Sequence, residues 1–333
     1  MRILCFGSLN IDDVFSVDAI VKVGETIACS AYSVFPGGKG ANQSVALARA
    51  ATGVPVHHSG CVGADGRWLV DLLLANGVDT ALVRVLETTA TGRAVIQRDK
   101  DGDNAIVIVK GANGAVPPDH VDSSLAQFGE RDWLLVQNEV NSLDLILAIA
   151  KKDRGMKVLF NPAPCPSEIL ALPLHLVDIL ILNEGEAQTL YSALAAKQNT
   201  SLAEGYDSST EKTLQSIMRD LPSLEAIVIT LGEKGVVALH RYNLEHIIQL
   251  PALKDCSVVD TTGAGDTFVG YFLSNFVAKS DAQAAEKDKS QDAFVSALQI
   301  AVVASGIACE REGAIPSIPR ASEVLERMES VLL

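Results

Sequence analysis

The sequence predicts an α/β protein: a doubly wound, mostly parallel sheet covered by helices on both faces, with a small antiparallel β lid beside it. Short continuous apolar runs alternate along the chain with segments of helical spacing. Unbroken apolar strands belong to a parallel sheet buried on both faces, and their alternation with helices gives the doubly wound order. A second set of strand-like segments breaks that rhythm, which places them in a separate, smaller sheet.

The strands of the main sheet are "RILCFGSLN" (2–10), "WLLVQ" (133–137), "KVLF" (157–160), "VDILILN" (177–183) and "AIVIT" (226–230). Between them "SLDLILAIAKK" (142–152), "NEGEAQTLYSALAA" (183–196) and "EKTLQSIMRDL" (211–221) carry helical spacing. "DVFSVDAI" with "TIACSAYSVF" (13–20, 26–35), and "GRAVIQRDKDGDNAIVIVKG" (92–111), which reads as two strands around a turn, form the lid. Such a sheet needs one apolar face, visible in Val95, Ile106 and Ile108. That face must bury against the ligand site or a second copy's lid, and the second option predicts a homodimer. "AAKQNTSLAEGYDSST" (195–210) and "AKSDAQAAEKDKSQ" (278–291) read as surface loops.

A chain of 333 residues can bury a large core, as one extended α/β unit with an appendage or as two domains. Its 48% hydrophobic and 20% charged content is that of a folded globular protein. A formal charge of −14 argues against a general nucleic-acid or anionic-membrane surface, so any phosphate site must be local. The six cysteines are scattered without a CxxC pair, no charged segment with a long apolar run opens the chain, and no apolar run approaches bilayer length. Reduced thiols and a cytoplasmic location are expected, with the nucleus open to a eukaryotic chain.

Some polar motifs have plain readings. "DKDGDN" (99–104) starts like a calcium loop, but its glycine comes early and Lys110 stands where the bidentate Glu belongs, so a hairpin turn is expected. "GCVGADG" (60–66) has the wrong spacing for a dinucleotide fingerprint and reads as a turn before a helix. His57 and His58 have no partner motif and read as surface or core histidines.

Three segments carry chemistry. "FPGGKGANQSVALARAA" (35–51) puts a Pro-Gly-Gly turn, a lysine and an asparagine at a helix N-terminus, a place for polyhydroxylated or anionic groups. At the end of the first strand "GSLNID" supplies Asn10 and Asp12, two residues apart and so on one face if extended, suited to fixing vicinal hydroxyls. In "VVDTTGAGDTFVG" (258–270) the Gly-Ala-Gly turn uncovers backbone amides at a helix start. If those amides stabilise a transferring phosphoryl group, Asp266 sits where it can take a proton from the attacking hydroxyl. Asp260, ahead of the turn, is placed to hold a cation or brace the loop.

Taken together, "PGGKGAN" (36–42) and "DTTGAGDTF" (260–268), in that order, with "GSLNIDDV" before them and "VGADGRW", "KGAN", "NPAP", "NEGEA", "ITLGEKG" and "REGAIPSIP" between and after them, resemble the ribokinase-like carbohydrate kinases of the PfkB type. The resemblance covers nearly the whole chain and implies one kinase domain over 1–333, with lid segments at about 13–35 and 92–111. It implies ATP-dependent phosphorylation of D-ribose at the 5-hydroxyl, with Mg²⁺ accompanying ATP and K⁺ as activator. Asn10, Asp12, Gly38, Lys39, Asn42 and Glu139 would hold the sugar. Asp266 would be the general base, and Gly263, Ala264 and Gly265 the anion hole. Asn183 and Glu186 would arrange the magnesium-bound water, and Thr230, Gly232 and Gly235 would line the ATP site with Asn183 and Gly265. The monovalent cation would lie among Asp260, Thr262, Ala308, Arg311, Gly313 and Ser317. In "QNE" (137–139) Asn138 replaces a usual apolar residue and should point away from the sugar. Alternatives are a kinase of another small sugar, such as deoxyribose or fructose, and a sugar or nucleotide sensor without turnover. Retention of Asp266 and of the Gly-Ala-Gly turn counts against the sensor.

Overall fold

The computed structural model describes residues 1–197, 210–282 and 287–332. Its strands are β1 (Ile3–Phe6), β2 (Asn10–Ser16), β3 (Ala31–Gly37), β4 (Val56–Gly63), β5 (Asp79–Leu86), β6 (Gly92–Arg98), β7 (Asn104–Val109), β8 (Trp133–Gln137), β9 (Lys157–Asn161), β10 (Ile179–Asn183), β11 (Ala226–Thr230), β12 (Val236–His240) and β13 (Ile248–Leu250). Its helices are α1 (Lys39–Arg49), α2 (Arg67–Ala75), α3 (Pro118–Leu125), α4 (Leu143–Ala148), α5 (Glu184–Lys197), α6 (Thr210–Asp220), α7 (Ala264–Ala282), α8 (Lys287–Cys309) and α9 (Ala321–Leu332).

The main sheet has nine strands in the order β13-β12-β11-β10-β9-β8-β1-β4-β5. It is parallel from β11 to β5, and only β12 and β13 pair antiparallel, at one edge. Side chains alternate between two cores, as a two-sided strand requires. Ile3 and Cys5 of β1 point into the core under α1, α7 and α8, whereas Leu4 and Phe6 point into the core under α3 to α6. The same split holds for Trp133 and Leu135 against Leu134 and Val136 of β8. The apolar runs read as strands are those strands, with boundaries shifted by at most two residues except at the first.

The run 2–10 breaks. The main-sheet strand ends at Phe6, and β2 starts at Asn10 in the other sheet. A side chain at Gly7 would meet the Gly40 Cα at 2.6 Å, so the chain turns there beneath α1. β5 and β13, at the two sheet edges, left no mark in the alternation, because an edge strand does not need two apolar faces; β12, apolar on both faces, was also not read as a strand. The turn before α2 is as expected, with a 3₁₀ turn at Ala64–Gly66. The segment 142–152 forms α4 and then a π-helical turn, Ile149–Asp153.

The small sheet runs β3-β2-β6-β7. Its two hairpins are antiparallel, but β2 and β6, which join them, pair in parallel. Its register corrects one expectation. Ile106 and Ile108 lie opposite Ile96 and Ala94, whereas Val95 lies opposite Val107. Val95 is therefore on the other face from Ile106 and Ile108. The face bearing Ile106 and Ile108 is the one that carries Asp12, through the pairing of Asp12 with Ala94 and Phe35. Ile106, Ile108 and Phe35 are 51%, 55% and 42% exposed. The "DKDGDN" segment is the hairpin turn, closed by Asp99 N–H to Asp103 O at 3.0 Å.

α7 and α8 form the thickest part of one core. Phe294 of α8 meets Phe272 and Phe276 of α7 edge-on, at 5.4 and 5.8 Å between centroids. Burying each such ring stabilises by roughly 1.5–3 kcal/mol. Contrary to the expectation that no apolar run nears bilayer length, Gln291–Cys309 of α8 is long and apolar enough. Its apolar side, with Phe294, Leu298, Ala301 and Ile307 buried, belongs to this core. The surface-loop reading of 278–291 fails at its ends, where α7 continues to Ala282 and α8 begins at Lys287; residues 283–286, and 198–209 of the other such stretch, lie outside the described residues. His58 Nδ1 is 2.7 Å from Ser44 Oγ in the core and His57 Nδ1 is 3.2 Å from Asp79, consistent with plain structural histidines.

Candidate active site

Successive parallel strands end at one level, and their last residues are polar. Gln137 of β8 is in register with Asn161 of β9, and Asn183 of β10 with Thr230 of β11. The chain leaves β1 toward β4 and β5 on one side and reaches β8 to β11 on the other. A crevice opens at the carboxyl ends of strands at such a switch point. There a cleft of about 230 Å³ is lined by Lys39, Asn183, Glu186, Thr230, Gly265 and Asp266, among others.

Each glycine of "PGGKG" has its own reason. Gly38 has φ +91°, a conformation that side chains resist. Gly37 leaves room for the Asp12 carboxylate, which would lie 2.1 Å from a Cβ there. Gly40 crosses β1 so closely that a Cβ would stand 2.4 Å from Ser8 N. α1 thus starts against the end of β1. Glu139, just past β8, ties this start down: its Oε2 accepts from Ser8 Oγ at 2.5 Å and from Lys39 N–H at 3.0 Å. Asn10 is fixed by Asn113, whose Nδ2 donates to Asn10 Oδ1 at 2.7 Å.

Asp12 stands among other acids. Burial, then Glu139, Asp13 and Asp266, push its carboxyl up to about 7. Asp13, next in β2 and on the opposite face, is neutralised by Arg93 at 2.8 Å and accepts from Tyr32 Oη at 2.6 Å. Lys39 is held above its usual range, chiefly by Asp266 and also by Glu139 and Glu186, against its burial. One cation therefore faces several carboxylates.

Asp266, in the first turn of α7, is 8% exposed. Asn42 Nδ2 donates to its Oδ2 and Gln43 Nε2 to its Oδ1, each at 2.8 Å. α1 and α7 can come this close because Gly270 lies on Ala46, where a Cβ would meet the Ala46 methyl at 2.4 Å. Asn42 Oδ1 is buried without a partner, an acceptor open to a hydroxyl donor. In the Gly-Ala-Gly turn, Ala264 N–H donates to Thr261 O at 3.2 Å. The first-turn N–H groups of Gly265 and Asp266 have no acceptor within the helix, so they are the amides a phosphate could use.

On the nucleotide side, Asn183 and Glu186 form a capping box at the start of α5. Glu186 N–H donates to Asn183 Oδ1 at 2.8 Å and Asn183 N–H to Glu186 Oε2 at 2.9 Å. Burial holds the Glu186 carboxyl above its usual range. Thr230 lines the cleft; Gly232 and Gly235, with φ +58° and +93°, shape the turn that follows it and are not in the cleft wall. Asn138 donates to Pro164 O at 2.8 Å and so belongs to the wall between strands.

Of the residues expected around a monovalent cation, Asp260, Thr262 and Gly313 are joined by hydrogen bonds. Asp260 accepts from Thr262 N–H and Gly313 N–H, each at 2.9 Å. Burial raises its carboxyl, but those bonds and nearby Arg98 outweigh it and leave it below the usual range. Arg311 N–H meets Ala308 O at 3.2 Å, and buried Ser317 donates to Ala314 O at 2.7 Å. Carboxylate, hydroxyl and main-chain carbonyl oxygens around a turn suit a large monovalent ion. The side chain of Arg311 itself is paired with Glu323, so only its main chain is offered. Ala314 packs on Gly263, which joins this loop to the Gly-Ala-Gly turn.

Sequence reasoning missed Ser8, Gln43, Asn113, Gln137 and Asn161 as site residues. A signal for Gln43 was present: "ANQS" starts an otherwise apolar helix, and Asn42, Gln43 and Ser44 are all buried. Polar residues on the buried side of a helix mark a place where something polar is held.

Comparison with known proteins agrees with this geometry. The chain is 35% identical over 328 residues to a ribokinase of Haemophilus influenzae, covering 97% of each. Its backbone is similar to that of a ribokinase from Cryptococcus neoformans in complex with ADP, with a TM-score of 0.81, 35% identity and coverage of 98% and 99%. It is also similar to an Arabidopsis thaliana ribokinase complexed with ribose and ATP, with a TM-score of 0.76, 28% identity and 98% coverage of each. Residues 1–321 match the model of the pfkB family carbohydrate kinases, and the chain belongs to that family of phosphotransferases.

Proposed function

We propose that this protein phosphorylates D-ribose at the 5-hydroxyl with ATP, giving D-ribose 5-phosphate and ADP. The observation that carries the reading is Asp266: a buried carboxylate, held at both oxygens, directly after the Gly-Ala-Gly turn and between the polar face of β2 and the cleft at Thr230 and Asn183. The relatives named ribokinase support the choice of sugar. Asp12, Asn10, Asn42 and Glu139 supply carboxylate and amide acceptors for ring hydroxyls, with Gly38 and Lys39 at the turn between them. Asp266 takes the proton of the 5-hydroxyl as that oxygen attacks the terminal phosphorus, and the bond to the leaving ADP oxygen breaks. The free first-turn amides of Gly265 and Asp266, exposed by the Gly-Ala-Gly turn, and Lys39 offset the charge that spreads over the phosphoryl oxygens. Mg²⁺ arriving with ATP supplies further neutralisation, and Asn183 and Glu186 are placed to hold its water shell. K⁺ at the Asp260–Gly313 loop would keep the adjoining turn in its anion-binding shape. The small sheet closes over the sugar and excludes water, and its exposed Ile106 and Ile108 pack on a second copy in a homodimer. Free cysteines throughout the described residues suit a reducing compartment, and the reading takes the cytoplasm.

Asp266→Asn should lower kcat by roughly 10²- to 10⁴-fold while ribose and ATP still bind, measured by a coupled ADP assay and by calorimetry. Turnover within a few-fold of the parent protein rejects the base.

The raised Asp12 carboxyl makes sugar recognition pH-dependent. A carboxylate accepts hydroxyl donors better than a carboxylic acid, so kcat/KM for ribose should fall as pH drops through about 7. Each hydroxyl lost from the sugar leaves a buried acceptor unpaired, costing about 1–3 kcal/mol, so 2-deoxyribose should be the poorer substrate. Equal efficiency with ribose and fructose overturns the pentose assignment.

K⁺ should raise activity even at saturating Mg²⁺, with Na⁺ much weaker; equal rates in K⁺-free buffer and in about 100 mM K⁺, on the order of physiological ionic strength, remove the cation site.

Sedimentation at micromolar concentration should show a dimer, and Ile108→Asp should yield monomer. A monomeric parent protein refutes the shared-lid interface.

A further inference from the structure

Gln43 is completely buried, and it uses every polar atom it has. Its Nε2 donates to Asp266 Oδ1 at 2.8 Å and to Asn161 Oδ1 at 2.9 Å, and its Oε1 accepts from Gln137 Nε2 at 2.6 Å. An amide with both hydrogens placed and its oxygen engaged has one orientation. The main chain dictates which. Asn161 Nδ2 donates to Ile181 O in β10 at 2.9 Å, and a carbonyl can only accept. Asn161 must therefore turn its own oxygen toward Gln43, and that oxygen demands the NH₂ end of the Gln43 amide. Donor polarity is passed from a fixed peptide group of the sheet, through two side chains, to one oxygen of Asp266.

We propose that Gln43, oriented by Asn161, is the positioning residue for Asp266, fixing the carboxylate plane while leaving lone pairs free for the sugar hydroxyl. The proposal rests on the reading of Asp266 as the base. A neutral donor suits this task better than a cation would. It favours the charged form of the carboxylate through a hydrogen bond, without the full ion pair that would suppress its basicity. Besides the Asn42 amide on Oδ2, the groups that act on Asp266 are ionisable: Lys39 from α1, Asp12 from β2, Glu186 from α5 and Cys5 from β1. Among these the lysine opposes the two carboxylates. The direction of the Oδ1 lone pair is set by the uncharged amide, which does not change with pH.

A residue that merely fills this space would affect folding and leave the ionisation of the base alone. The deciding measurement is the pH profile of kcat between about pH 5 and pH 9, the range where shifted carboxylates titrate, together with KM for ribose and ATP. Gln43→Met keeps the length and removes the donor. It should lower kcat about tenfold or more, leave both KM values within roughly threefold, and move the acid limb of the profile to higher pH. Gln43→Glu keeps the shape and places a carboxyl against Asp266, so the acid limb should move further up than in Gln43→Met. An unmoved acid limb in Gln43→Glu overturns the proposal by itself, even if Gln43→Met fails to fold. A fall in kcat with an unmoved limb in Gln43→Met also overturns it and leaves Gln43 as packing. Asp266→Asn is measured alongside: if it keeps turnover, the base reading falls and takes this proposal with it. If it loses turnover while the Gln43 limbs stay in place, only the role of Gln43 is wrong.

Discussion

The geometry of the site depends on one contact between the two ends of the fold: the start of α7 against the start of α1, joined through Asp266 to Asn42 and Gln43. A carboxylate that is 8% exposed costs several kcal/mol unless donors replace the water it lost. The donors come from residues more than two hundred positions away in the chain. They reach Asp266 because both helices begin at the carboxyl end of the sheet and because Gly270 and Ala46 let their axes approach. Lengthening either side chain at that crossing would move the amides off the carboxylate. The helix packing and the chemistry therefore share a single constraint.

Around this contact the charges are arranged unevenly. Asp266, Glu139 and Glu186 act on Lys39 and hold it above its usual range against its burial, while burial first, then neighbouring acids, raises Asp12, and burial raises Glu186. Among the described residues the buried oxygen of Asn42 has no hydrogen-bond partner. Away from the sugar face the same sheet has its acid neutralised: Asp13 is paired with Arg93, which also reaches Asp65 beside α2. Adjacent acids of one strand are thus separated by the two-residue period into one that is left for a ligand and one that holds the sheet in place.

The loop carrying Asp260 shows how a carboxylate can serve a phosphate site without facing it. Both of its oxygens take backbone N–H groups, from Thr262 and from Gly313, so it folds the segment 260–262 against the segment that follows α8. The contact of Ala314 with Gly263 carries that order into the turn where α7 begins. An acid next to an anion-binding turn would otherwise repel the anion. Here its charge is spent on fixing the amides.

The sequence by itself determined the strands, because a strand buried on both faces must be continuously apolar, and "WLLVQ" and "AIVIT" could be little else. It also determined the two glycine motifs: Gly38 and Gly263 take positive φ, and at Gly37, Gly40 and Gly263 a side chain would meet a neighbour. The small sheet was legible as a departure from the alternation, but which face each residue takes was not. Val95 went to the wrong face because register depends on how two strands pair, and a shift by one residue reverses every side chain. The break at Gly7 was hidden for a related reason: the apolar start of "RILCFGSLN" runs on without a proline, and only the close crossing of α1 at Gly40 makes the chain turn. Asn10, Asp12 and Asp266 could be picked out from local motifs. Asn161 and Gln137 could not, since an isolated amide has no signature; the polar run "ANQS" marks Gln43, but its role arises only when three strand and helix ends meet. What tertiary structure decided was which polar groups share a hydrogen bond, because that depends on distances between segments far apart in the chain, which no local pattern encodes.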